Sequence, residues 1–186
     1  MTRVGSFRYA LFYLPILSLP GSIYLSAMNI LVMGVSGSGK TTIGRLLSDR
    51  LAIPFIDGDD LHPESNKIKQ SKKIPLTDAD RKPWLEAINQ TFKDHQPKGC
   101  IIGSSALKEK YREIIKLGLD QVYWIVLLGD FNLIHDRMKD RKNHFMPIEL
   151  LQSQFDTLEE PSYGLKIDIA KDPEDIVMEI LNHISK

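Results

Sequence analysis

One cysteine in 186 residues leaves no intrachain disulfide to form. Stability must therefore come from a packed core, and a single domain of this size buries roughly 70% of its unfolded surface without staples. Cys100 opens the apolar run Cys100-Ile101-Ile102 and reads as a small buried residue. The five histidines and that cysteine show no metal-ligand spacing, so no structural metal is expected. Net charge is absent too: 24 basic side chains balance 24 acidic ones, which excludes a nucleic-acid surface or a polybasic membrane patch. No internal repeat and no low-complexity segment is present.

The N-terminal stretch 1–27 has no acidic residue, but its apolar middle is short for a bilayer span and is broken by Pro15, Pro20 and Gly21. Leu25-Ser26-Ala27 is a poor signal-peptidase site. We expect residues 1–27 to be an extension outside the fold, from a start codon placed too early or a dispensable leader, with an organellar presequence as the second choice. The domain is expected to occupy 28–186, in the cytoplasm.

What the chain does have is Gly34-Val35-Ser36-Gly37-Ser38-Gly39-Lys40-Thr41, a complete G-x-x-x-x-G-K-[ST] phosphate loop. It follows the apolar run Ile30 to Met33, a buried strand, and precedes Ile43, Leu46, Leu47 and Leu51, a helical stripe. Strand, loop and helix stand in the order the motif requires. Backbone N–H groups from Gly34 through Thr42 converge on a polyphosphate, Lys40 supplies charge, and the Thr41 hydroxyl can hold Mg²⁺. ATP with Mg²⁺ is the expected cofactor.

Downstream, Pro54-Phe55-Ile56 reads as a second strand ending in Asp57-Gly58-Asp59-Asp60. In an extended backbone Asp57 and Asp59 point the same way, one toward Mg²⁺ and the other toward a substrate hydroxyl. Helix-capping acids are the simpler alternative, and Asp60 fits it best. Residues 64–72 contain only Ile68 as an apolar side chain, so this helix cannot be buried. Pro83 interrupts the next pattern, which places the helix start near it and Arg81 on a turn. Val122 to Leu128 is continuously apolar, marking a strand covered on both faces and hence a parallel sheet. The alternation gives a three-layer α/β/α sandwich with roughly five parallel strands.

Five blocks in order then carry a resemblance. They are Asp57-Gly58-Asp59-Asp60-Leu61-His62-Pro63-Glu64; Ile74-Pro75-Leu76-Thr77-Asp78 with Asp80-Arg81 and Pro83-Trp84-Leu85; Ser105-Ala106-Leu107-Lys108 with Tyr111-Arg112; His144-Phe145-Met146-Pro147; and Ser153-Gln154-Phe155 with Thr157-Leu158-Glu159. Together they resemble the small phosphate-loop gluconokinases, over nearly everything after Met28. The resemblance implies transfer of the ATP γ-phosphate to the 6-hydroxyl of D-gluconate, a fold related to shikimate and nucleoside-monophosphate kinases, and a homodimer. Ser104 stands where this family usually has Cys, Gln70 and Lys73 where it has Met and Gly, Asn143 where it has Gly, and Asp156 where it has Ala.

Residue roles follow. Lys40 and Asp59 are the catalytic candidates, and Thr41 with Asp57 the metal candidates. Asp59, His62, Arg81 and Lys108 are the substrate candidates, with Arg112 a weaker one. Arg81 suits a carboxylate because a guanidinium binds it bidentately; a surface ion pair with Asp78 or Asp80 is its other reading. His62, just before Pro63, can hydrogen-bond hydroxyls or simply start a helix. Arg137 and Arg141, four apart, suit a lid over ATP, or a solvated face with Asp136 and Asp140. His144 reads as lid packing. Another polyol-acid kinase of the same fold and an inactive nucleotide-binding protein remain as competing functions. A GTPase is excluded, since Asn66-Lys67-Ile68-Lys69 lacks the final acid of the guanine signature.

Overall fold

The computed structural model describes residues 28–139 and 148–185. The extension 1–27, and with it the expected domain boundary, lies outside them, as do Arg141 and His144.

Five strands, β1 (Ile30–Met33), β2 (Phe55–Asp57), β3 (Ile101–Ser104), β4 (Tyr123–Leu128) and β5 (Leu165–Asp168), form one parallel sheet in the order β2-β3-β1-β4-β5. Among the described residues seven α-helices connect and cover it: α1 (Lys40–Leu51), α2 (Glu64–Ser71), α3 (Asp78–Asp94), α4 (Glu109–Lys116), α5 (Phe131–Lys139), α6 (Ile148–Thr157) and α7 (Pro173–Ile184). No helix among the described residues is long and apolar enough to cross a membrane.

Strand alternation sends successive side chains of β1 into two cores. Ile30 and Val32 pack with Ile43 and Leu47 of α1 and Ile176 and Ile180 of α7. Leu31 and Met33 pack with Trp84, Leu85 and Ile88 of α3 and Ile115 of α4. All four β1 residues are fully buried, so helices cover both faces. Each such aliphatic side chain contributes roughly 1.5–3 kcal/mol by leaving water. Cys100 is buried as expected, and burial pushes its thiol up to about 12, which makes it inert.

Two elements depart from the sequence expectation. The first concerns α3, which starts at Asp78 and runs through Pro83. Thr77 caps it: its Oγ1 accepts from the Asp80 N–H at 3.2 Å while the Asp80 carboxylate accepts from the Thr77 N–H at 2.9 Å. This reciprocal cap satisfies the first turn, and Pro83 sits close enough to the start that only one intrahelical bond is lost. Arg81 is therefore a helical residue, not a turn residue. The second departure lies after β2. The strand ends at Asp57, and Gly58–Leu61 turns into one stretch of 3₁₀ helix, so Asp57 and Asp59 do not share an extended backbone.

Candidate active site

The loop after β1 climbs out of the sheet at Gly34, whose φ is +148°. A Cβ there would stand 2.7 Å from the Leu127 carbonyl oxygen, so only glycine fits. The loop ends at the N-terminus of α1, where free N–H groups and the helix dipole favour an anion. Lys40 folds back, its Nζ donating to the Gly34 and Val35 carbonyls, both at 3.0 Å.

Although β3 lies between β1 and β2, Asp57 still reaches the loop. Gly103 pairs with Asp57 in register, and the Cβ it lacks would stand 3.2 Å from the Phe55 ring and 3.7 Å from the Lys40 Cβ. Across that gap the Thr41 Oγ1 donates to the Asp57 Oδ2 at 3.2 Å. The other Asp57 oxygen accepts the Asp59 N–H at 3.1 Å and caps the 3₁₀ turn. One carboxylate thus fixes both the loop side and the acceptor side of the cleft.

Ser36, Gly37, Lys40, Thr41, Asp57 and Asp59 line this cleft. Loss of hydration against its walls raises the Asp59 pKa above 3.8, Lys40 draws it back down, and Asp57 and Asp60 add to the rise. The residue still opens to solvent on the cleft side. A magnesium nucleotide fits these residues: two hard oxygen donors, Thr41 and Asp57, adjoin a cation and a glycine-formed anion cradle. The Ser38 hydroxyl, buried in the same loop, has no hydrogen-bond partner among the described residues.

On the acceptor side, His62 packs against Trp84 with ring centroids 4.2 Å apart, and its backbone N–H donates to the Asp59 carbonyl. Burial, then the charges of Arg81 and Lys67, lower its pKa to about 4, so the ring is neutral at neutral pH. Arg81 donates to the Leu76 carbonyl and stands 5.9 Å from the Tyr111 ring centroid, with Lys108 Nζ 5.8 Å from the same centroid. With Lys110 Nζ at 5.9 Å, three cations surround this one ring. No ion pair of Arg81 is found among the described residues: Asp78 is held by Lys110 and Tyr111 and lies 3.9 Å from the Lys108 Nζ, and Asp80 is held by Lys69. Those hydrogen bonds hold both carboxyls at about 2.

Arg112 is no substrate residue. Its side chain is 1% exposed and donates to the Ala106, Leu107 and Glu159 carbonyls and to Glu109 and Tyr163, fastening α4 to the loop before it. Arg137 donates to the Ile169 carbonyl at 2.9 Å, tying α5 to the end of β5, and its neighbour Asp136 pairs with Lys139 instead. Met138 rather than Arg137 lines the cleft.

The sequence reading gave no role to three residues whose polar atoms are buried or held across the fold. Gln154 of α6 accepts the Ser36 N–H at 2.7 Å, a contact across 118 positions that no local pattern signals. Asn66 is the one buried residue of α2, while Ile68 is 47% exposed, the reverse of hydrophobic expectation. Ser104, in the position where the resemblance leads one to expect cysteine, has a buried hydroxyl with no partner among the described residues. Ser104→Ala removes that unsatisfied oxygen and is expected to stabilise the protein by about 1 kcal/mol, raising Tm by roughly 3 °C. A lower Tm on calorimetry would mean that the hydroxyl is satisfied.

A family model described as shikimate kinase matches residues 36–184. The chain is similar to the thermosensitive gluconokinase of Escherichia coli, 44% identical over 86% of this chain and 82% of that one. It is 38% identical to the gluconokinase of Arabidopsis thaliana over 84% of this chain and 92% of the relative. A gluconokinase structure from Sinorhizobium meliloti superposes with a TM-score of 0.77 at 38% identity, over 87% of this chain and 93% of that chain. Similarity of this extent, on a cleft that keeps every element of the phosphate loop, assigns the chain to the shikimate kinase family, on its gluconokinase branch.

Proposed function

We propose that the protein phosphorylates D-gluconate at its 6-hydroxyl, using MgATP, to give 6-phospho-D-gluconate. One observation carries this reading: the Asp57 carboxylate joins Thr41 on the donor side to the Asp59 turn on the acceptor side of a single cleft. The relatives named above, gluconokinases of three organisms, support gluconate as acceptor.

MgATP, when bound, supplies the phosphoryl group to be transferred and the metal charge that offsets its negative oxygens. The chain's own contribution is position and charge. Amides of Gly34 to Thr42 hold the phosphates, Lys40 neutralises charge on the transferring group, and Thr41 and Asp57 hold the metal. Asp59 accepts a hydrogen bond from the 6-hydroxyl and orients its lone pair toward the phosphoryl group. Arg81 and Lys108 offer positive charge to the gluconate carboxylate, and His62 contributes a neutral donor for a chain hydroxyl. Arg141 belongs, in this reading, to a lid that excludes water, whereas Arg137 serves α5 through its bond to the Ile169 carbonyl. The same proposal places the enzyme in the cytoplasm as a homodimer.

The test is a panel of sugar acids incubated with ATP, Mg²⁺ and pure protein, with products resolved by mass. Gluconate is expected to be the best acceptor; no product from it, or a faster reaction with another acid, would overturn the assignment. Within that assay Arg81→Ala should raise the KM for gluconate roughly 10- to 100-fold, the range of a lost charge-assisted hydrogen bond, with much less effect on kcat. An unchanged KM would remove Arg81 from the site.

A further inference from the structure

Asn66 is 1% exposed on an otherwise solvated helix, and a buried amide needs partners. It has two. Its Nδ2 donates to the Asp80 carbonyl at 2.8 Å and stands 3.2 Å from the His62 Nδ1. Turning the amide over would set Oδ1 against the Asp80 carbonyl oxygen, two acceptors in contact, so the backbone of α3 fixes which atom faces His62. An N–H is therefore donated to Nδ1. The imidazole can accept it only with Nδ1 bare and the proton on Nε2.

The surroundings agree with this state. Trp84 covers one ring face, Arg81 and Lys67 oppose a positive charge, and the carboxylates of the preceding turn, Asp59 and Asp60, make no hydrogen bond to the ring. Nε2 has no hydrogen-bond partner among the described residues. Trp84 is itself held, its Nε1 donating to the Gly58 carbonyl at 2.6 Å, so the stack cannot swing.

We infer that Asn66 is a positioning residue that locks His62 in the Nε2–H tautomer and so presents a fixed N–H donor to a hydroxyl of the sugar-acid acceptor. This rests on His62 being a substrate residue. Exposure on α2 is then explained: the helix anchors one amide between the acceptor turn and the first turn of α3, and its remaining side chains are left to solvent. A neutral donor suits a polyol, because it holds a hydroxyl oxygen without competing for the carboxylate that Arg81 and Lys108 attract.

The experiment takes the full chain with ¹⁵N-labelled histidine rings, the His62 signals being those lost in His62→Gln. Wild type should show a protonated Nε2 and a bare Nδ1 at about pH 7, and Asn66→Leu a mixture of the two tautomers. In steady-state assays Asn66→Leu should raise the gluconate KM roughly tenfold, the value of one neutral hydrogen bond, and the ATP KM less than about twofold. A protonated Nδ1 in wild type overturns the inference whether or not the variant folds. So does a wild-type gluconate KM in Asn66→Leu when His62→Gln raises it. An unchanged gluconate KM in His62→Gln instead overturns the substrate role of His62, and the inference falls with it.

Discussion

Lys40→Ala is expected to lower kcat by about 10³-fold or more while the protein stays folded. In a reaction whose transition state spreads charge over phosphoryl oxygens, a preorganised cation acts where charge develops, in a cleft partly cleared of water. Alanine removes that charge and nothing replaces it. The charge-assisted, part-buried bonds from Nζ to the Gly34 and Val35 carbonyls put a few kcal/mol at stake, less than the stability of a typical domain. A Tm drop of roughly 5–10 °C is expected. Lys40 also lowers the Asp59 pKa, so the acid limb of the residual activity should move to higher pH in the variant. Steady-state kinetics across pH, with a thermal melt of the same sample, checks all three. A kcat within tenfold of wild type would remove Lys40 from the chemistry.

The residues that make this prediction possible were legible because their signals are local. An apolar strand, a glycine-rich loop and an amphipathic helix occupy one short segment, and each follows from neighbours in sequence. The sheet order needed more. Continuous burial of β4 marks a parallel strand, but nothing local tells that β3 enters between β1 and β2. Asp57 and Asp59 were identified through the wrong geometry: an extended pair was expected, whereas a capped 3₁₀ turn brings them together. The start of α3 was in plain view in Thr77-x-x-Asp80, yet Pro83 carried the stronger expectation and the reciprocal cap outweighed it. Arg112, Gln154 and Asn66 were out of reach, because a buried polar side chain is defined by partners distant in sequence. For Arg112 these include Tyr163, and for Gln154 the Ser36 amide.

Asp59→Asn is expected to lower kcat by roughly 10²–10⁴-fold and to raise stability slightly, two effects with one origin. The carboxylate is held where desolvation by the cleft walls disfavours its charge, with Asp57 and Asp60 adding to the cost and Lys40 offsetting only part of it. The sign for stability follows. With the folded pKa above 3.8, the folded protein binds more protons than the unfolded chain between the two values, so the contribution of Asp59 is most favourable below that window and is lost as pH rises through it. At neutral pH the charge weakens the fold, and the amide, of the same shape, relieves it. Catalysis needs the opposite. An ionised carboxylate accepts the hydrogen bond of the 6-hydroxyl more strongly than an amide oxygen and can take the proton as the phosphoryl group arrives, which the amide cannot. The wild-type profile of kcat/KM should therefore show an acid limb displaced upward from that of an ordinary aspartate, and Asp59→Asn should lack it. A variant whose kcat falls less than tenfold, or that keeps the limb, would leave some other group to orient the acceptor; one that loses both turnover and stability would mean that Asp59 is held by the fold rather than poised against it.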